Sequence, residues 1–271
     1  MNYDTTYTLG PRRAFELPMT TNYGAIVQRI LRIGAAVPSR FGDTRELLDV
    51  TYTGLAEYYP IRKGMNRRLG YMELAQILAG YFNEDAIKAV SPNAAHSLFT
   101  KEMAYGPRIG DGQIPVLIEA LKADPATRQA VLFYAKPEDG PTSSNPCTTT
   151  GHFIIRGGML HYMVNMRSWD MIKGAPYDIC CVAGLTQVVA KCLGIPAGFI
   201  SIHADSGHVY EKDIEAGKVP TGEEMVFEVL GNHTDYEDWM DVGAKATMDA
   251  FTGWSGKAPE FILERGRQEA L

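Results

Sequence analysis

Hydrophobic residues recur at helical spacing in the first half of the chain. In the segment 24–35, Ile26, Ile30 and Ile33 fall on one face of a helix. This spacing predicts an amphipathic helix. Two more apolar segments, one ended by a glycine and one by Asp124-Pro125, predict short helices at 71–80 and 113–123.

The pattern changes to strands after residue 128. The apolar segments 153–156 and 159–166 are separated by Gly157-Gly158, which is typical of a β-hairpin. Further strands are predicted at 47–58, 129–135, 198–203 and 225–230, and further helix at 178–193 and in part of the tail after Asp235. The uneven order of helices and strands favours an α+β fold with a mixed sheet over a regular βαβ series.

Composition narrows the class of protein. No linker or change of composition divides the 271 residues, which predicts one domain over 1–271. The net charge of -6 gives no general attraction for nucleic acid, so an anionic ligand needs a local arginine cluster. No apolar segment reaches the length of roughly 18 to 20 residues that a bilayer span requires. Four cysteines without a CxxC pair and no leader-like start predict a cytoplasmic protein with reduced thiols.

Cys147 follows a proline at the exit of the loop 140–144 and precedes a strand. A loop cysteine on a rigid sheet can be a nucleophile once positive charge stabilises its thiolate. A half-buried structural thiol is the alternative interpretation.

Polar residues collect near the start of the next long helix. Arg167-Ser168 beside a helix start can bind a phosphate through the guanidinium fork and backbone N–H groups. The alternatives are a surface pair between Arg167 and Asp170, and an N-cap role for Asp178.

A third cluster, His203, Asp205 and His208, follows an apolar strand. It could bind a metal, although no standard zinc spacing is present. His208 could also form a dyad with Cys147, as in cysteine hydrolases. Glu73, inside an otherwise apolar helix, is costly unless it has a function.

In this order and at these spacings, one set of residues resembles the thymidylate synthase family. The set comprises Arg40, Glu73, Tyr105-Gly106, 124–128, Pro146-Cys147, 167–170, 174–178 and 208–210. The resemblance extends over about residues 24 to 215 and is densest between 145 and 210.

This resemblance implies a homodimer, packed sheet against sheet, that transfers a one-carbon unit from 5,10-methylenetetrahydrofolate to C5 of a pyrimidine nucleotide, without a metal. Cys147 would add to C6 of the base as the nucleophile. The 5′-phosphate would be bound by Arg40, Arg167 and Ser168, joined by Arg128 from the other subunit. One of these guanidinium groups would also help to lower the pKa of the thiol.

The same resemblance implies roles for the remaining residues. His208 and Tyr210 would bind the sugar 3′-hydroxyl, and Asp170 and Tyr177 would hold the folate. Glu73 would organise water and move protons near the base. Tyr105 would help to remove the C5 proton.

Two departures from the family change the predicted reaction. Asp178 stands where thymidylate synthases have an asparagine that reads uracil, and an ionised carboxylate suits the N4 amino group of cytosine with a protonated N3. The segment 84–103 lacks the tryptophan that packs on the folate, which favours a wetter site and a hydroxymethyl product. The sequence therefore predicts a deoxycytidylate (dCMP) hydroxymethylase.

Several alternatives stay open. Within the family they are a dCMP methyltransferase that releases dihydrofolate, a CMP hydroxymethylase and thymidylate synthase acting on dUMP. From other classes they are a cysteine hydrolase and a non-catalytic nucleotide- or RNA-binding protein.

Overall fold

A computed structural model describes residues 23–61, 65–78, 80, 82–91, 102–110, 112–140, 145–219 and 226–229. Its helices are α1 Tyr23–Ile33, α2 Arg67–Leu78, α3 Glu84–Val90, α4 Gly106–Ile109, α5 Gln113–Ala123, α6 Ala175–Leu193 and α7 Glu211–Glu215. Its strands are β1 Ala35–Val37, β2 Thr44–Leu55, β3 Tyr58–Ile61, β4 Val131–Phe133, β5 Thr148–Arg156, β6 Met159–Met166, β7 Trp169–Asp170, β8 Ala197–Tyr210 and β9 Val226–Val229.

One mixed sheet organises the molecule. Its strand order is β1-β2-β8-β6-β5-β4, with β7 beside β8, and β3 pairs separately with β9. The β6–β8 and β7–β8 pairs are parallel, whereas the other pairs are antiparallel. The predicted α+β class with a mixed sheet is therefore confirmed.

Helices cover one face of this sheet. Along β8, Ile200, Ile202 and Ala204 are fully buried, whereas the alternate residues Ser201 and His203 are only half-buried. Strands alternate sides at every residue, so this pattern places the core on one face. The long helix α6 packs on that face against β6 and β8, and its apolar residues close the core.

The β2–β8 pair contains an irregularity. Its register runs unshifted from Leu48–Ser206 to Val50–Ala204 and omits the pair Asp49 and Asp205, and the φ of Asp49, 59°, lies in the left-handed region. Strand β8, which carries His208, continues to Tyr210, beyond the predicted end at residue 203.

The sequence located most elements and missed some ends. Helix α5 has the predicted bounds, and the hairpin turns at the predicted glycine pair. Helix α2 begins at Arg67 rather than 71, and the strand predicted over 129–135 shortens to β4. The strand predicted over 47–58 lies at 44–55.

The helix predicted after Asp235 lies outside the described residues. Within the described ranges, no helix has both the length and the apolar composition needed to cross a membrane.

Candidate active site

Cys147 lies immediately before β5, and hydrogen bonds from Arg167 hold the backbone around it. The Arg167 backbone N donates to the Cys147 carbonyl at 2.9 Å. Its guanidinium donates to the carbonyls of Pro146 at 3.0 Å and Asn145 at 2.8 Å. One arginine thus holds three consecutive residues at the thiol. The alternative surface pair of Arg167 with Asp170 is wrong, because the guanidinium binds these carbonyls instead.

The surroundings of Cys147 disfavour its thiolate. Burial, opposed by the Arg167 charge and assisted by Asp178 and Asp170, raises the pKa of Cys147 to about 11. The predicted lowering effect of one arginine on this pKa is present, in Arg167, but the net pKa is raised. Arg167 acts in the expected direction, but loss of hydration of the thiolate outweighs one cation.

Tyr105 contacts the start of the same strand. Its hydroxyl accepts a hydrogen bond from the Thr148 backbone N at 3.4 Å, and its ring packs edge-on against Tyr134 at 5.3 Å. Burial, followed by the charges of Asp178 and Cys147, raises the pKa of Tyr105 well above its usual value. Tyr105 is therefore a neutral phenol beside the thiol.

Asp178 lies in the first turn of α6, where Trp169 holds it. The Trp169 indole Nε1 donates to Asp178 Oδ2 at 3.0 Å. Burial raises the pKa of Asp178 to about 7, Trp169 opposes this, and Asp170 adds to it. The N-cap interpretation is wrong, because α6 begins at Ala175 and Gly174 occupies the cap.

Glu73 belongs to the same electrostatic cluster. Burial and then the charge of Asp178 raise the pKa of Glu73 to about 8. Carboxyl groups with pKa values of about 7 and 8 can both gain and lose a proton near neutral pH, as general acid–base catalysis requires.

Asp170 and His208 meet through strand pairing. Asp170 lies opposite His208 in the parallel β7–β8 ladder, and its Oδ1 accepts from the backbone N atoms of Ile172 and Lys173, both at 2.9 Å. Ser168 Oγ lies 3.5 Å from His208 Nδ1. These contacts bring the predicted Ser168, Asp170 and His208 together.

His208 carries little positive charge at neutral pH. Burial lowers its pKa, while Asp170, Glu46 and a backbone hydrogen bond at Ser206 act in the opposite direction. A neutral imidazole has one donor and one acceptor nitrogen.

Tyr210 connects this cluster to the loop that carries Arg40. Its ring packs edge-on against His208 at 5.1 Å, and Ser39 and Arg40 both lower its pKa against the raising effect of burial. Lys212 Nζ donates to the Phe41 carbonyl at 2.9 Å, which anchors the loop to α7. Arg40 itself is exposed, so its side chain is accessible to a ligand.

Two predicted residues lie apart from this cluster. Arg128 is exposed in the turn between α5 and β4, where the contact that the structure gives it is a backbone hydrogen bond to His152. The hydroxyl of Tyr177 accepts from the Asn66 backbone N at 3.1 Å and thereby joins α6 to the start of α2.

Sequence reasoning missed Trp169 and Glu46. The indole of Trp169 is 1% exposed and orients Asp178, a role that the sequence gave no means of seeing. Glu46 lies directly opposite His208 in the β2–β8 ladder. In the sequence, Glu46 lies just before the strand predicted over 47–58, where a carboxylate ordinarily indicates a solvent-facing position.

The described residues do not support the metal alternative. His203 pairs with Asp49 at 3.5 Å and with Asp205 at 3.6 Å, separately from the contacts of His208. Within the part of the chain that the structure describes, no group of three His, Cys, Asp or Glu side chains could hold a metal ion. The four cysteines are free.

The fold and the site define a mixed α+β protein in which electrostatic interactions link a thiol, a neutral phenol, an arginine and two carboxyls of raised pKa. Comparison with known proteins gives a similarity for part of the chain. Residues 97–224 match the family model of thymidylate synthase.

Individual relatives agree. Thymidylate synthase of Varicella-zoster virus (strain Dumas) is 30% identical over 135 residues, which are 48% of this chain and 45% of the relative. Thymidylate synthase of Listeria monocytogenes (serotype 4a, strain HCC23) is 33% identical over 108 residues, 39% of this chain and 34% of the relative. The aligned part of the chain thus spans less than half the length of these relatives.

Proposed function

We propose that this protein is a dCMP hydroxymethylase, which converts dCMP, 5,10-methylenetetrahydrofolate and water to 5-hydroxymethyl-dCMP and tetrahydrofolate. The observation that carries this proposal is the position of Asp178. Its carboxyl is buried near Glu73 and Cys147, has a pKa of about 7 and is oriented by Trp169.

Cys147 is the nucleophile in this proposal. Its thiolate adds to C6 of the base, which makes C5 electron-rich enough to attack the one-carbon unit. Because burial keeps the thiol protonated in the free protein, its proton must leave as the nucleotide binds. Arg167, adjacent to the thiol, favours the thiolate in that step. Tyr105, held at the start of β5, takes part in removing the C5 proton.

The 5′-phosphate is bound by arginines. Arg167 and Arg40 are both exposed, and the half-buried Ser168 lies between Arg167 and His208. Arg128 is exposed in the turn before β4, and in this proposal it reaches the phosphate from a second subunit. Guanidinium groups match phosphate oxygens as paired donors.

The half-buried face of the sheet is where that second subunit would pack. Ser201 and His203 on β8 and the alternate residues of the neighbouring strands are incompletely covered in one chain. We place the homodimer contact on this face, sheet against sheet.

Asp178 reads the base. Cytosine presents the N4 amino donor beside the N3 acceptor, so one proton between N3 and the carboxyl completes two hydrogen bonds. A carboxyl with a pKa of about 7 can share that proton at neutral pH. Uracil has O4 at the corresponding position, which repels an ionised carboxylate and does not take up a proton.

The folate site uses Asp170. One of its oxygens is occupied by two backbone N–H groups, which fixes the carboxylate and leaves the second oxygen for the amino groups of a pterin. Tyr177 lies one residue before Asp178, although its hydroxyl already contacts Asn66. Folate supplies the one-carbon unit, and these residues orient it.

The missing tryptophan supports the hydroxymethyl product. Trp169 is fully buried and bonded to Asp178, so it is not available to cover the folate. The segment in which the family has its tryptophan lies partly outside the described residues. A site that admits water allows water to add to the reactive intermediate before hydride transfer.

The test is to incubate the protein with 5,10-methylenetetrahydrofolate and a mixture of dCMP, CMP and dUMP, and to measure product masses. The proposal predicts a gain of CH2O on dCMP that is lost in Cys147→Ala. A gain of CH2 with formation of dihydrofolate would make the protein a methyltransferase. A product formed only from CMP or only from dUMP would identify that nucleotide as the substrate in place of dCMP. Unchanged masses of all three nucleotides would contradict one-carbon transfer.

The base-reading role of Asp178 gives a separate prediction. Asp178→Asn should raise the ratio of kcat/KM for dUMP to that for dCMP by about tenfold or more, because the amide donates to O4 and accepts from N3–H. Asp205→Asn, which removes an exposed carboxylate on the same sheet, should leave the ratio unchanged. A variant at residue 178 that kept its cytosine preference would show that another group reads the base.

A further inference from the structure

Glu46 lies at the sugar end of the proposed nucleotide site. It is directly opposite His208 in the antiparallel β2–β8 pair, and opposed residues project from the same face with Cβ atoms about 5 Å apart. Thr44, two residues earlier, lies opposite Tyr210. Strand β2 therefore runs alongside the residues assigned to the sugar.

One oxygen of Glu46 is already held. Ser206 Oγ donates to Glu46 Oε2 at 2.6 Å, a diagonal contact across the two strands. This bond restricts the rotamer of a half-buried side chain and orients the carboxylate. An ionised carboxylate has about four acceptor positions on its two oxygens, so capacity for further donors remains.

A carboxylate close to a dianionic nucleotide weakens binding unless the ligand gives it a hydrogen bond. The neighbouring His208 feels the Glu46 charge, since that charge raises the His208 pKa against the larger effect of burial. A sugar hydroxyl both donates one proton and accepts a hydrogen bond. A neutral imidazole and a carboxylate side by side match this pair of properties.

We propose that Glu46 is a specificity-determining residue that accepts the hydrogen bond of the sugar 3′-hydroxyl, while His208 donates to the oxygen of the same hydroxyl. This inference rests on the proposed function, because it takes the ligand to be a pyrimidine nucleoside monophosphate. It predicts selection for nucleotides with a free 3′-hydroxyl. Ser206 is the positioning residue that holds the carboxylate.

The test measures the Kd of dCMP and of 2′,3′-dideoxy-CMP for the purified protein by calorimetry. Glu46→Met should raise the Kd for dCMP by about 10- to 100-fold, the loss expected for a hydrogen bond to a charged group. It should leave the Kd for the dideoxy nucleotide within about twofold, since that ligand has no hydroxyl to donate. Glu46→Gln should restore part of the loss through its amide oxygen.

Glu211→Gln is the matched control. Glu211 follows Tyr210 and pairs with Arg45 at 2.9 Å, so the variant removes one negative charge at the same end of β8 without touching the proposed contact. It should change the Kd of both nucleotides equally. Thermal unfolding of each variant identifies any that fail to fold. If Glu46→Met does not fold, Glu46→Gln replaces it in the comparison of the two nucleotides.

The outcomes separate this inference from the proposed function. Equal losses for both nucleotides in Glu46→Met would overturn the role of Glu46 while leaving nucleotide binding intact. A loss confined to CMP would assign Glu46 to the 2′-hydroxyl and overturn the 3′ assignment. Absence of binding to every pyrimidine nucleotide by the unmodified protein would overturn the proposed function, and the inference with it.

Discussion

At the scale of single residues, the thiol of Cys147 is governed by competition between burial and charge. Among the described residues, Arg167 is the cation that lowers its pKa, while Asp178 and Asp170 act with burial to raise it. Such a thiol is protected from oxidation and alkylation while the site is empty. Its reactivity is expressed only when a ligand or a base removes the proton.

This balance predicts how Cys147 reacts with iodoacetamide. Because its pKa is about 11, the rate should increase about tenfold per pH unit between roughly pH 8 and 10. Arg167→Met should slow alkylation at pH 9, since the pKa rises further without the cation, whereas Arg167→Lys should keep most of the rate. Peptide mass spectrometry distinguishes Cys147 from Cys180, Cys181 and Cys192. Equal rates in all three proteins would show that the Arg167 charge does not act on the thiol.

At the scale of helices and strands, the sequence predicted correctly those elements that interactions between nearby residues determine. Helix α5 and the hairpin of β5 and β6 were predicted because apolar spacing and a glycine pair decide them. The length of β8 was underestimated, since Asp205 and Ser206 interrupt its apolar alternation and only pairing with β2 keeps them in the strand.

The same distinction between local pattern and long-range pairing applies to the residues of the site. Cys147, Tyr105 and Asp178 were located through their order along the chain, and the structure brings them together. Glu46 was missed because its role depends on the register between β2 and β8. In the observed register Glu46 lies opposite His208, whereas a shift by one residue would turn its side chain to the other face of the sheet. The net pKa of Cys147 was also unpredictable, since burial is a property of the folded chain.

Gly151 in β5 provides a test at this scale. A Cβ at this position would overlap the hydroxyl and ring of Tyr162, which is fully buried and whose hydroxyl lies 2.9 Å from that of Tyr134. Gly151→Ala should lower the free energy of unfolding by about 1–3 kcal/mol through overpacking, as measured in urea. It should also reduce activity, because Tyr134 packs on Tyr105. Tyr162→Phe, which keeps the ring, is the comparison, and an alanine variant as stable as the unmodified protein would contradict this packing.

At the scale of the whole molecule, the proposed dimer makes each site depend on two chains. The cluster around Cys147 lies within one chain, whereas Arg128 is exposed at the turn before β4. A dimer that exchanges this arginine has sites that neither chain completes alone.

Mixing two inactive variants tests that exchange. Cys147→Ala and Arg128→Ala should each have little activity, but after joint unfolding and refolding in equal amounts roughly one site in four combines an intact Cys147 with an intact Arg128. About a quarter of the original kcat should return. Refolding each variant by itself is the control. Failure of the mixture to recover activity, with dimers present in sedimentation, would show that Arg128 serves its own chain.

The parallel pairing of β6 with β8 has a consequence for how this protein can change over evolution. Parallel neighbours need a long crossover, and here α6 supplies it, starting just after β7 and delivering Asp178 in its first turn. The position proposed to read the base thus belongs to a connection that the parallel pairing requires. New base preferences should therefore arise by exchange of the side chain at 178, in a single codon, rather than by insertions that would relocate it.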